Sequence, residues 1–275
     1  MRNLFIVLTS LVFFSCEQTQ YKDLEYVLVW SDEFDQGEID EQKWNFETGN
    51  GCQYNLYGWG NNELEYYRAE NASILDTAEY LLIEAKKEQF QYVDCDGTLA
   101  VADYTSARLN TKNKFDFSFG RVEASIKMDV YNGIWHAFWM LPSFPENSWP
   151  LSGEIDIMEQ FRQDNQNKLI TTVHFGYGMI GEEYDSLTTN YFDDFHTYAV
   201  EWDRVSIKWY IDDSLVHTVY KTEDQSLETT WPFNDPFHLI LNTAVGGNLG
   251  GTPTFETTQT MLVDYVRVYQ KTIEQ

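Results

Sequence analysis

A sandwich of many short antiparallel strands is the fold class this 275-residue sequence predicts, and three observations carry it. Runs of alternating hydrophobicity recur along the chain. No segment sustains the 3.6-residue period of a long amphipathic helix. Gly, Asn and Asp punctuate the runs at close spacing, as in two-sheet sandwiches and jelly rolls. Taken in order, Leu81–Ala85 is a β-rich run, and Arg121–Met128 alternates strictly, placing Val122, Ala124, Ile126 and Met128 on one face. Leu169–Phe175 follows. Val205–Tyr220 holds two β-rich runs around Asp212-Asp213-Ser214, a hairpin signal, and Phe237–Val245 and Val263–Tyr269 complete the set.

Composition narrows the partner. Eighteen Lys and Arg against 44 Asp and Glu leave a net charge of −26, which excludes nucleic acid as the main partner because phosphate binding needs a basic surface. A neutral ligand fits this balance. Neither a repeat nor a Pro/Gly/Ser-rich linker divides the chain, so residues 26–275 read as one domain.

Residues 1–15 read as an export signal: Arg2 supplies positive charge, and Leu4 to Phe14 are apolar but too short for a span of about 20 residues. The run ends at Ser15-Cys16 and resembles a bacterial lipoprotein signal, with Cys16 the lipidated first residue and 16–25 a polar tether. An ordinary secretory signal is the alternative. Setting Cys16 aside leaves Cys52 and Cys95, which in an exported protein suggest a disulfide, with two buried free thiols as the other reading. No cysteine or histidine cluster has the spacing of a structural zinc site.

The chemistry concentrates in Gly153-Glu154-Ile155-Asp156-Ile157-Met158-Glu159, where three acids alternate with apolar residues. On a strand, Glu154 and Asp156 share a face while Ile155 and Ile157 point into the opposite layer. Glu159 has the wrong parity. One β-bulge near Ile157-Met158 would bring it to the same face, and bulges are favoured beside active sites. A solvated acidic edge is the bland alternative, but interleaved Ile-Asp-Ile-Met is a buried-strand pattern.

This segment resembles the active-site signature of the family-sixteen glycoside hydrolases, bacterial laminarinases (endo-β-1,3-glucanases) in particular. The resemblance runs from Val29 to Tyr269 and includes Trp30-Ser31-Asp32-Glu33-Phe34, Gly58-Trp59-Gly60-Asn61-Asn62-Glu63, Tyr104-Thr105-Ser106-Ala107-Arg108, Trp135-His136-Ala137-Phe138-Trp139 and Leu241-Asn242-Thr243. It implies a β-jelly roll of two curved antiparallel sheets, with substrate across the concave one. It further implies Glu154 as nucleophile, Glu159 as general acid/base and Asp156 as the residue holding Glu154 in the right protonation and orientation. A retaining glycosidase needs two such carboxyls roughly 5–5.5 Å apart. Trp135 and Trp139, four apart, share a face and suit the C–H faces of sugars. Asn62, Arg108 and His174 match cleft positions that hydrogen-bond sugar hydroxyls, although Arg108 also fits a structural ion pair and His174 a core histidine.

The expected activity is thus endo-hydrolysis of a neutral β-1,3-glucan by a monomer needing no catalytic cofactor. Alternatives are a mixed-linkage glucanase, another family-sixteen polysaccharidase, or a non-catalytic glucan-binding lectin, for which a spaced acid pair has no use. The expected location is the outer membrane through the lipid alone, otherwise the medium. Several positions depart from the family pattern. His136 stands for its usual Pro and Thr243 for an aliphatic residue, changes expected to bear on the cleft; Ala107, Ser125 and Glu79 also differ. Many relatives hold a structural Ca2+ through an Asp matching Asp264 plus backbone carbonyls, the correct oxygen chemistry. Gly246–Gly251 lacks the Lys-Ser/Thr of a phosphate loop.

Overall fold

The alternating runs do become strands. The computed structural model describes residues 25–75, 79–163, 166–176, 178–185, 191–192, 194–221 and 231–272. The signal segment 1–15, Cys16 and most of the tether 16–25 lie outside the described residues. The first half of the chain supplies β1 (Tyr26–Asp32), β2 (Asn45–Glu47), β3 (Glu65–Tyr67), β4 (Ala72–Leu75), β5 (Tyr80–Val93), β6 (Leu99–Ser106), β7 (Arg108–Asn110) and β8 (Gly120–Met128). The second supplies β9 (Ile134–Pro142), β10 (Glu154–Gln163), β11 (Gln166–Phe175), β12 (Gly178–Asp185), β13 (His196–Trp202), β14 (Ser206–Ile211), β15 (Ser214–Tyr220), β16 (Phe237–Val245) and β17 (Gln259–Lys271). Among the described residues no helical segment exceeds four residues.

The strands form two sheets of a β-jelly roll. One has the order β15-β14-β13-β8-β17-β5-β6-β3, with β1 on β17 and β4 on β5; the other runs β12-β11-β10-β9-β16-β7-β2. The ladders are antiparallel as expected, except that β3 pairs with β6 in parallel over three residues. Between the sheets, Val122, Ala124 and Ile126 of β8 join Tyr198, Val200 and Trp202 of β13 against Phe138, Met140, Ile155, Leu239 and Leu241. The hairpin at Asp212-Asp213 closes with both residues at positive φ, 47° and 63°, matching the two-residue turn whose twist suits antiparallel strands.

Two expectations resolve here. Cys52 and Cys95 are disulfide-bonded, Cα atoms 6.0 Å apart, fastening the loop before β3 to the β5–β6 turn. His136 and Thr243, expected to bear on the cleft, do not face it. They are cross-strand partners on β9 and β16, fully buried on the core side of the sheet, with His136 Nδ1 2.8 Å from Thr243 Oγ1. Nε2 lies 2.8 Å from the Asp129 carbonyl and donates to it, so Nδ1 is the acceptor for the threonine hydroxyl. Burial pulls this imidazole down to about 4, so it stays neutral. One departure supplies the partner that the other needs.

Candidate active site

The acidic strand begins at a fixed point. Gly153 has φ +88°, and a Cβ there would stand 2.9 Å from Pro232 Cγ, so only glycine lets the chain turn into β10. From Glu154 to Asp156 the strand keeps register with β9 and β11, and then it slips. Asp156 pairs with Thr172 and Glu159 with Ile170, so Ile157 and Met158 together oppose Thr171 alone. This is the bulge that parity demanded. Ile155, Ile157 and Met158 all enter the inter-sheet core, and Trp209 Nε1 donates to the Asp156 carbonyl at 2.8 Å, bracing the bulge from the opposite sheet. Glu154, Asp156 and Glu159 are left together on the outer face.

Their surroundings are dry and crowded. Asp156 and Glu159 are buried and Glu154 half-buried. Burial pushes the Glu154 carboxyl up to about 8, helped by the charge of Asp156 and opposed by His174 and the hydrogen bond from Trp149. Burial likewise pushes Asp156 up to about 7. Glu159 is driven well above the ordinary carboxylate range, first by burial and then by the charges of Asp156 and Glu154. Three carboxyls in one dry patch cannot all ionise near neutrality. Asp156 gives up its proton first and Glu154 ionises next: Glu154 is the more open of the two, its side chain 16% exposed against 3%, and Trp149 Nε1 donates to its Oε2 at 2.7 Å, which favours its charged form. Glu159, whose Oε1 accepts from Trp135 Nε1 at 3.0 Å, keeps its proton.

The other predicted residues gather around the acids. Trp139 sits opposite Asp156 on β9 and donates from Nε1 to Asn242 Oδ1 at 2.8 Å. Its ring carries the Arg108 guanidinium, 4.8 Å from the centroid. Trp135 faces the same side but is covered by Phe161, Ala244 and Leu249, so it supports Glu159 more than it offers an open face. Arg108 fills both readings at once: its Nε donates to Glu47, and its plane lies between Trp139 and Trp59. His174 is no core residue; it pairs with Glu154 across β10 and β11, with Nε2 3.2 Å from Asp156 Oδ2. Asn62 is exposed at the rim, its amide donating to Asn248 Oδ1 at 2.8 Å. Glu63 and Glu65 both turn under the loop, where Glu63 accepts from the Tyr67 hydroxyl and Glu65 from the Val245 N–H. Asp264 stands apart, half-buried where β17 slips register against β8.

Four cleft residues escaped the sequence reading: Trp149, Trp59, Glu47 and Asn242. Trp149 is the most telling, because a tryptophan 58% exposed and bonded to Glu154 has no packing reason to be there. Its position five residues before Glu154 was the available signal. Glu47 and Asn242 reach Arg108 and Trp139 only through sheet register, which the linear sequence does not display.

Comparisons with known proteins agree with this geometry. The sequence model described as Glycosyl hydrolases family 16 matches residues 77–267, more than half of the chain. The chain is 38% identical over 259 residues to the beta-glucanase of Rhodothermus marinus, a match spanning 88% of this chain and 85% of that protein. Among solved structures, it is similar to the catalytic domain of an endo-1,3-beta-glucanase (laminarinase) from Thermotoga petrophila RKU-1. That likeness has 43% identity and a TM-score of 0.81, over 90% of this chain and 99% of the other. The endo-beta-1,3-glucanase from Pyrococcus furiosus gives 40% and 0.82, over 90% and 96%.

Proposed function

Because the chain belongs to family 16 of the glycosyl hydrolases, we propose that its cleft cuts β-1,3-glucan chains internally by a retaining double displacement. The observation that carries this reading is the β10 bulge, which brings a protonated Glu159 onto the face of an ionisable Glu154. Glu154 attacks the anomeric carbon while Glu159 protonates the departing oxygen. Glu159, now ionised, then takes a proton from the water that releases the sugar. Asp156 shares one proton with Glu154, holding the charge while Glu154 keeps the proton, and takes that proton over as Glu154 ionises to attack. Trp139 and Arg108 line the floor on which the glucan lies. A binding-only protein would gain nothing from the raised acid. No cofactor enters these steps. Reducing-sugar release from laminarin, with barley mixed-linkage glucan, agarose and carrageenan in parallel, tests the assignment; activity on a sulfated galactan and none on laminarin sinks it. Proton NMR of the first product must show the β anomer.

The disulfide supports export to an oxidising compartment, and the N-terminal segment supports residues 1–15 as a signal and Cys16 as a lipid anchor to the outer membrane, ahead of the catalytic domain 26–275. A Cys16→Ala variant that still partitions with membranes overturns the anchor. The reading includes a monomer, to be checked by light scattering. For structural Ca2+, Asp264 offers one carboxylate at a strand irregularity. Among the described residues Asp264 belongs to no group of three or more His, Cys, Asp or Glu ligands, so carbonyls would have to supply most of the set. A chelator that leaves the melting temperature unchanged removes calcium from the reading.

A further inference from the structure

We infer that Glu154, Asp156 and His174 form a binding site for a dication of the Zn2+ type, and that its occupation silences the cleft. Two independent observations support it. A carboxylate oxygen from each acid and a ring nitrogen of His174 all lie within 4.8 Å of one another. Nε2 is 3.2 Å from Asp156 Oδ2 and 4.0 Å from Glu154 Oε1. A tetrahedral ion with bonds of roughly 2.0–2.1 Å holds its ligand atoms roughly 3.3–3.4 Å apart, so side-chain shifts below about 1 Å close the cage. Separately, Asp156 Oδ2 is buried without a hydrogen-bond partner in a residue 2% exposed. The His174 nitrogen near it lacks the direction of a hydrogen bond. A buried anionic oxygen left unsatisfied is costly, and a coordinated cation offsets that cost.

The donor set decides which ion. One imidazole nitrogen with two carboxylates favours zinc and its neighbours over Ca2+ or Mg2+, which prefer oxygen alone. The three ligands leave a fourth position open toward the cleft, where the Glu154 and His174 side chains are 16% and 20% exposed. The ligands also sit on rigid elements, since His174 is the register partner of Glu154 on adjacent strands. The net charge of −26 raises cation concentration near the surface. Silencing rests on the nucleophile reading: an oxygen bound to metal cannot attack the anomeric carbon. Metal binding itself does not rest on it.

Direct binding is therefore measured apart from hydrolysis. Calorimetric titration of the purified protein with Zn2+ should give one site, and Co2+ in its place should give the intense visible bands of tetrahedral coordination. His174→Ala and Asp156→Asn should each weaken Zn2+ binding at least roughly tenfold, with His174→Gln as a second probe should alanine disturb the strand. Laminarin oligosaccharide should compete with Zn2+, while Ca2+ should not. Equal Zn2+ affinity in these variants, or octahedral Co2+ spectra, would overturn the site. Zn2+ bound there with laminarin hydrolysis unchanged would overturn the silencing and the nucleophile assignment, leaving the metal site standing.

Discussion

Replacing Glu154 with Gln should make the protein more stable at neutral pH while abolishing its activity. The folded state holds the Glu154 carboxyl at about 8 against an ordinary value of 4.5, chiefly through burial. Between those limits the native chain keeps a proton that the unfolded chain has released. The unfolded state therefore binds fewer protons, and wild-type stability falls as pH rises through this window. Each pH unit is worth about 1.4 kcal/mol, so the window up to pH 7 sets a ceiling of roughly 3 kcal/mol. Sharing the proton with Asp156 brings the realistic figure to about 2–3 kcal/mol. Glutamine removes the titration but keeps an oxygen to accept from Trp149 Nε1. For a chain of this size the gain corresponds to roughly 5–10 °C in melting temperature. Thermal melts of both proteins from pH 4 to 9 are the assay. The two curves should meet near pH 4, diverge through neutrality, and run parallel above about pH 8. A variant less stable than wild type at pH 7, or a constant offset at every pH, refutes the claim that the acid cluster strains the fold.

Glu159→Ala should be inert on laminarin yet form the glycosyl intermediate from an activated aryl glucoside, and added azide should then yield a β-glycosyl azide seen by NMR; an α product refutes retention. Trp149→Phe keeps the ring beside His174 but deletes the N–H to Glu154, a bond to a charged group worth about 1.5–3 kcal/mol. Its kcat should drop on the order of 10–100-fold while the acidic limb of the pH–rate profile moves upward; an unchanged profile removes Trp149 from the nucleophile's support. Replacing Cys52 and Cys95 with serine frees a loop with a sequence separation of 43 and should cost about 3–4 kcal/mol in denaturant titration. A loss below about 1 kcal/mol would show that the loop is held by its other contacts.

How far the sequence anticipates this molecule depends on the range of the interaction. Alternation is local, so β8 and β16 were legible, and parity alone demanded the slip at Ile157-Met158 that the register displays. The acids, Arg108 and His174 were legible through the family resemblance. Partners set by lateral strand order were not. Glu47 meets Arg108 because β2 lies beside β7, and Asn242 meets Trp139 because β16 lies beside β9, neither of which a linear pattern encodes. The same blindness made His136 and Thr243 look like two cleft departures when they are one buried pair.

That pair has a consequence for how the sequence can drift. Exchanging His136 for the family's usual proline, with Thr243 kept, would strand a buried hydroxyl and leave the Asp129 carbonyl without its donor. Exchanging Thr243 for an aliphatic residue would instead orphan Nδ1 of a fully buried imidazole. Each single step costs about 1–3 kcal/mol for an unsatisfied buried group, whereas the double exchange removes both polar partners together. The two positions are therefore epistatic. A library that samples them one at a time would score both as intolerant, and only paired mutagenesis would find the second sequence that fits the same sheet.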